Sequence, residues 1–191
     1  MIGARRVDRL EKIAEEIGGT ALELDVTDED SVDAFAAVVP RVDVLVNNAG
    51  GAKGLATVLD ADLDDWRWMW ETNVLGTLRV TKALLPKLID SGDGLVVTIT
   101  SVAALEAYDN GSGYTTAKHA QAVLHRTLRG ELLGKPVRLT EIAPGASRRS
   151  SHSSGSRAIR TRPTRCTRES HRWWRRTSPR SSVLSRRGRH M

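Results

Sequence analysis

The sequence predicts an α/β fold built on a doubly wound parallel sheet. Two observations carry that prediction. Short β-like runs alternate with amphipathic helical stretches through residues 1–146, as in a parallel sheet with helical crossovers. Several of the strand-like runs end in polar or glycine-rich residues, on the side of such a sheet where ligands settle. A third observation bounds the domain: after Ala146 the alternation stops and Arg, Ser and His take over. The expected organisation is an α/β domain over residues 1–146 and a disordered Arg/Ser-rich tail over 147–191.

The elements follow in order. "VDRLEKIAEEIG" sets Val7, Leu10, Ile13, Ala14 and Ile17 at helical spacing and stops at Gly18-Gly19. "TALELDV" (Thr20–Val26) reads as a short strand. In "TDEDSVDAFAAVV" Thr27 is the expected N-cap of a helix, with acids in the first turn where the helix dipole favours them. "VDVLV" is an apolar run ending at "NNAG", as a buried parallel strand should. A long helix is expected from about Leu63 to Ile89, then the strand "GLVVTITS", ending at Ser101. The stretch "YTTAKHAQAVLHRTLRGELLGK" is helical, and "VRLTEIAPG" is a last strand that ends in a Pro144-Gly145 turn. Asp25, "NNAG", Ser101 and the Pro-Gly turn would therefore converge on one site.

Composition misleads until the chain is divided. The net charge of +6 and pI near 10.0 suggest a nucleic-acid or membrane-surface binder. Residues 147–191, however, hold fourteen Arg, no Lys and one acid, Glu169, a net +13. Residues 1–146 carry −7, an ordinary acidic balance. The single cysteine, Cys166, permits neither an intrachain disulfide nor a cysteine-based metal site, and no metal is expected. No apolar run approaches the roughly 18 residues of a membrane span, and the start "MIGARRVDRLEKIA" has no apolar signal core. A cytoplasmic location is the expectation.

Four motifs, in order and each in its expected element, resemble the short-chain dehydrogenase/reductase family from Met1 to about Gly145. They are "NNAG" (Asn47–Gly50) after an apolar strand, "TNVLG" carrying Asn73, Ser101 after the next strand, and "YTTAK" with Tyr114 and Lys118. The resemblance implies a Rossmann-like fold, an oxidoreductase acting on CH–OH groups, a small alcohol or carbonyl substrate and a homo-oligomer. Its wording in "ARRVDRLEKIA", "VDVLVNNAG" and "LTEIAPG" is nearest the branch of NADP-dependent 3-hydroxy acid dehydrogenases.

The residue types suit that chemistry. Hydride transfer at a carbinol carbon needs a base for the hydroxyl proton, and free Tyr, with a pKa of about 10, is a poor one near neutrality. A Lys at i+4 shares its helical face, and the cation favours phenolate. The resemblance therefore implies Tyr114 as acid/base and Lys118 as its cationic partner and ribose holder. It implies Ser101 as a donor to the substrate oxygen and Asn73 as holder of a proton-relaying water. Cofactor contacts are implied at Asp25, Val26, Asn47, Ala49, Gly50, Pro144 and Gly145. Arg5 and Arg6 stand where NAD-dependent members place an acid against the ribose 2′-hydroxyl. Arg pairs with a 2′-phosphate, so NADP is expected over NAD. In "WRWMW", Trp66 and Trp70 share one helical face with Trp68 turned away, and that stripe is expected at a subunit interface.

Two departures are expected to matter. The family opens with a strand, a Gly-rich T-G-x-x-x-G-x-G turn and a helix, a unit of roughly 30 residues that holds the pyrophosphate. Met1-Ile2-Gly3 reads as the end of the second strand, so this unit and the central strand are expected to be missing, leaving strand edges unpaired and the chain inactive as it stands. After Pro144-Gly145 the family continues with substrate-covering structure, whereas here the Arg-rich tail begins. The alternatives are a basic arm in which "HRWWRR" binds nucleic acid or an anionic surface, and a reading-frame shift. Fourteen Arg without one Lys favour the shift and make nucleic acid the lesser expectation.

Overall fold

The computed structural model describes residues 1–145. The expectations placed on 147–191, and Cys166 with them, lie outside the described residues. Among the described residues there are five strands, all in parallel pairs. β1 (Ile2–Ala4) pairs with β2 (Ala21–Glu23), and β3 (Val44–Asn47), β4 (Gly94–Ile99) and β5 (Val137–Ile142) form a second sheet in that order. β1 pairs only with β2, and β3 only with β4. No described helix is long and apolar enough to cross a membrane.

Helix α1 (Val7–Ile17) ends where its sequence said it would. Gly18 takes the left-handed φ of 63° that only glycine adopts freely, and Gly19 N–H closes on Ala14 O at 2.7 Å. Its expected stripe is narrower than the spacing implied. Leu10 and Ala14 are buried, but Ile13 and Ile17 stay exposed, because the helix rests on a sheet of two three-residue strands. "TALELDV" likewise yields only Ala21–Glu23 as strand, since Asp25 turns aside to accept from the Thr27 N–H at 2.9 Å. That turn also moves the next cap. Thr27 spends its hydroxyl on Asp25 at 2.7 Å, and α2 (Glu29–Val38) is capped instead by Asp28, which accepts from Asp30 N–H at 3.0 Å.

The long helix runs from Leu63 to Asp90, but it is not uniform. α3 (Leu63–Trp70), capped by Asp62, passes through one wide π turn at Glu71–Leu75 into α4 (Gly76–Asp90). Its last segment packs Val80, Leu84 and Leu88 against Leu45, Val96 and Val137 in the main core, where Leu88 and Val96 are fully buried. α5 (Ser112–Glu131) lays Ala117 against Met69 and Val74 in a smaller cluster. Two packing clusters thus flank the π turn. It carries the site.

Candidate active site

The site is assembled where β4, the π turn and α5 meet. Lys118 lies one helical turn beyond Tyr114 on α5, and its Nζ stands 5.8 Å from the Tyr114 ring centre. Lys118 is 4% exposed, Tyr114 half-buried. The ammonium donates to Ile99 O at 3.1 Å, at the end of β4, and to Gln121 Oε1 at 2.8 Å. It makes no ion pair among the described residues, and burial pushes its pKa down to about 8.

Ser101 follows the same strand end. Its Oγ accepts from Ala103 N–H at 3.1 Å, capping a single 3₁₀ turn (Val102–Ala104), and its own hydroxyl proton has no acceptor among the described residues. Pro144 O accepts from Val102 N–H at 3.0 Å, which brings the Pro144-Gly145 turn beside Ser101. Asn73, fully buried, sits inside the π turn. Its amide donates to Gly51 O at 2.9 Å and Met69 O at 2.7 Å, while its Oδ1 accepts from Gly51 N–H at 3.1 Å. A side-chain carbon on Gly50 would collide with Asn73 Oδ1 and come within 3.5 Å of Lys118 Nζ. Only glycine lets the loop after β3 lie so close. Asn47 is held from beneath, donating to Thr81 Oγ1 at 2.8 Å, and Ala49 is exposed at the rim.

The remaining sequence-predicted residues form a second group around β1 and β2. Arg5 Nη1 lies 3.9 Å from Asp25 Oδ2, with Arg5 mostly exposed, and Arg6 precedes α1 with no cap contact of its side chain. Partial burial would raise the Asp25 pKa, but the Thr27 N–H, the Thr27 hydroxyl and the Arg5 charge together hold it below the usual carboxylate value. Val26 is buried against Gly76, where a side-chain carbon would come within 2.6 Å of its Cγ2. Val26 and the π-turn helix are therefore the bridge between the two groups.

Sequence reasoning passed over several residues here. Gln121, fully buried, takes one proton of Lys118 and donates to Thr77 Oγ1 at 2.8 Å; Thr77 in turn donates to Asn73 O at 2.8 Å. The available signal was a Gln three residues after Lys118, on the face that buries Ala117 and Ala122. Tyr108 stacks on Gly111, and burial, followed by the Tyr114 charge, pushes its hydroxyl pKa up. Of the Trp stripe that the sequence had singled out, Trp68 covers Gly51 and receives Lys53 at 4.9 Å over its ring, while Trp66 and Trp70 share an open apolar patch with Gly113. A cleft lined by Lys53, Asp65, Trp66, Met69 and Asn110 opens onto Tyr114.

A Tyr and a Lys on one helical face, a strand-end Ser, and an Asn in a π turn locked to the loop after β3 are a constellation that recurs. The family model described as short chain dehydrogenase matches residues 1–158, passing the compositional break at Ala146. The chain belongs to the short-chain dehydrogenase family.

The chain is 75% identical over 143 residues to an uncharacterised oxidoreductase of Mycobacterium tuberculosis (strain ATCC 25618 / H37Rv), covering 75% of this chain and 57% of that protein. It is 36% identical over 155 residues to an NADP-dependent 3-hydroxy acid dehydrogenase of Schizosaccharomyces pombe, covering 76% and 60% respectively. Among solved structures it superposes on a closed serine dehydrogenase complexed with NADP+ at a TM-score of 0.72 and 33% identity, over 75% of this chain and 60% of that one. The chain thus spans about three fifths of the length of these curated relatives.

Proposed function

We propose that the chain carries the catalytic centre of an NADP-dependent oxidoreductase acting on a small alcohol or its carbonyl, of the 3-hydroxy acid class. The observation that carries this reading is the buried Lys118 ammonium beside Tyr114: two of its three N–H groups have partners, and the third has none among the described residues. A dinucleotide fits the residues present at both ends. Lys118 keeps a donor for a ribose hydroxyl, and Arg5 and Arg6 offer exposed guanidinium groups for a 2′-phosphate. The names of two relatives, one an NADP-dependent 3-hydroxy acid dehydrogenase and one solved with NADP+, support the cofactor and substrate class.

The nicotinamide, when bound, supplies or accepts the hydride. In carbonyl reduction Tyr114 gives its hydroxyl proton to the substrate oxygen; in alcohol oxidation it takes that proton back. The Lys118 ammonium stabilises the negative charge left on the Tyr114 oxygen. Ser101 donates a hydrogen bond to the substrate oxygen, keeping its own proton, and so opposes charge building there. Asn73 fixes the loop at Gly50 and Gly51 and offers its carbonyl toward a relaying water. Asp25 and Val26 flank the adenine, and Asn47, Ala49, Gly50, Pro144 and Gly145 line the cofactor's path. Trp66 and Trp70 form the face for a second copy of the chain.

The test uses a chimaera in which residues 1–145 replace their counterparts in the Mycobacterium tuberculosis relative. NADPH oxidation is followed with short 3-oxo acids and with neutral aldehydes of equal length. Turnover with NADPH, faster on the acids, is expected; turnover with NADH alone, or with neither cofactor, sinks the proposal.

A further inference from the structure

The ammonium of Lys118 is not left to solvent: Ile99 O and Gln121 Oε1 each accept one of its N–H groups. Lysine can only donate, so the Gln121 oxygen must face it. That orientation turns the Gln121 NH₂ toward Thr77 Oγ1 at 2.8 Å, and the Thr77 hydroxyl must then spend its own proton on Asn73 O, also at 2.8 Å. The chain of bonds has one allowed direction, from Lys118 to the π turn. All four residues are buried, Gln121 and Asn73 completely, so each of these bonds counts for more than it would in water. The far end is equally fixed, because the Asn73 amide is committed to Gly51 and Met69.

We propose that Gln121 is a positioning residue: with Thr77 it tethers the Lys118 ammonium to the Asn73 carbonyl through side chains alone, aiming the one remaining N–H of Lys118 at the cofactor and Tyr114. This rests on the oxidoreductase reading for its consequence, though the tether itself does not. Without Gln121, the ammonium would keep only Ile99 O, a single bond about which a flexible four-carbon stem can swing. Besides the loop at Gly50, which carries no titratable group there, three elements face the ammonium. From α5 come Tyr114 and Gln121, from the π turn Asn73, and from the end of β4 the Ile99 carbonyl. Tyr114 is the titratable group among them, so a change at Gln121 is read at Lys118 without a competing carboxylate.

Lys118 is one of six lysines, and its ε-carbon can be followed by NMR across pH in the 191-residue chain labelled with ¹³C-lysine, with Lys118→Arg giving the assignment. The native chain should titrate near pH 8 at this position. Gln121→Met keeps the volume but removes the acceptor, and should move that midpoint down by about one pH unit. Gln121→Glu supplies a charged acceptor and should move it up by at least about one unit. Opposite shifts establish the tether. A shift of both variants in one direction, or of neither, overturns it.

In the chimaera, Gln121→Met should lower kcat about tenfold or more with little change in KM for the carbonyl substrate. An unchanged kcat in Gln121→Met overturns the positioning role. Tyr114→Phe in the same assay judges the oxidoreductase reading separately, since the lysine titration does not depend on turnover.

Discussion

The two sheets hold their functional side chains in opposite ways. Around β3, β4 and β5 the polar groups of the site are buried and bonded to one another: Asn47 to Thr81, Lys118 to Gln121, Gln121 to Thr77, Asn73 to the loop at Gly51. Around β1 and β2 the two Arg side chains are exposed and Asp25 is part-buried, and a single 3.9 Å pair joins Arg5 to Asp25. The first arrangement fixes geometry, because a buried polar group that loses its partner is costly. The second fixes only charge, because an exposed ion pair is weak and adaptable. Under the proposed function, the first arrangement would aim a proton and the second would grip a phosphate.

The comparison can be broken at its strong end first. In the chimaera, Tyr114→Phe should cut turnover about 10²–10⁴-fold while NADPH still binds, the range expected for one lost acid/base group. A smaller loss would mean that the buried half does not do the proton transfer. Next comes packing. Leu88→Ala, at a fully buried position under β4, should cost about 2–5 kcal/mol in denaturant unfolding. Leu22→Ala, at a partly buried position of β2, should cost less. Equal costs would show that the two sheets are equally well packed. The smallest effect belongs to the exposed charges. Replacing Arg5 and Arg6 with Ala should raise KM for NADPH about tenfold and leave KM for NADH unchanged, one charge-assisted contact at the low end of its range. Equal changes for both cofactors would remove the 2′-phosphate from the account.

Legibility in the sequence followed the same division. The motif residues stood out through the family resemblance, each at its place in an element: Tyr114 and Lys118 four apart on a helix, Asn47 at a strand end and Ser101 just past one. The expected α/β order held through residue 145 because periodicity of two and of 3.6 is written locally. What was not legible depends on contacts across elements. Thr27 looked like the cap until Asp25 claimed its hydroxyl. Ile13 and Ile17 kept the spacing of a buried stripe but met too small a sheet to cover them. Gln121 offered only its place three residues after Lys118 on α5, because its other partner, Thr77, lies on α4, 44 positions away.

The π turn shows what a single wide turn does to a long helix. From Met69 the buried positions step to Asn73, Thr77 and Thr81 at intervals of four, then return to Leu84 and Leu88. Four residues overshoot a 3.6-residue turn by about 40° each time, so the line of contact winds around the axis instead of running along it. Gly76 N–H reaches back five residues to Glu71 O, and the carbonyls of Met69 and Asn73 are taken up by the side chains of Asn73 and Thr77. The helix is in effect spliced: its first part is in register with α5 and its second with the strands. Shortening the turn by one residue would restore an ordinary helix and rotate one of those faces by about 100° away from its partner. A change in the helix's length would break both registers at once.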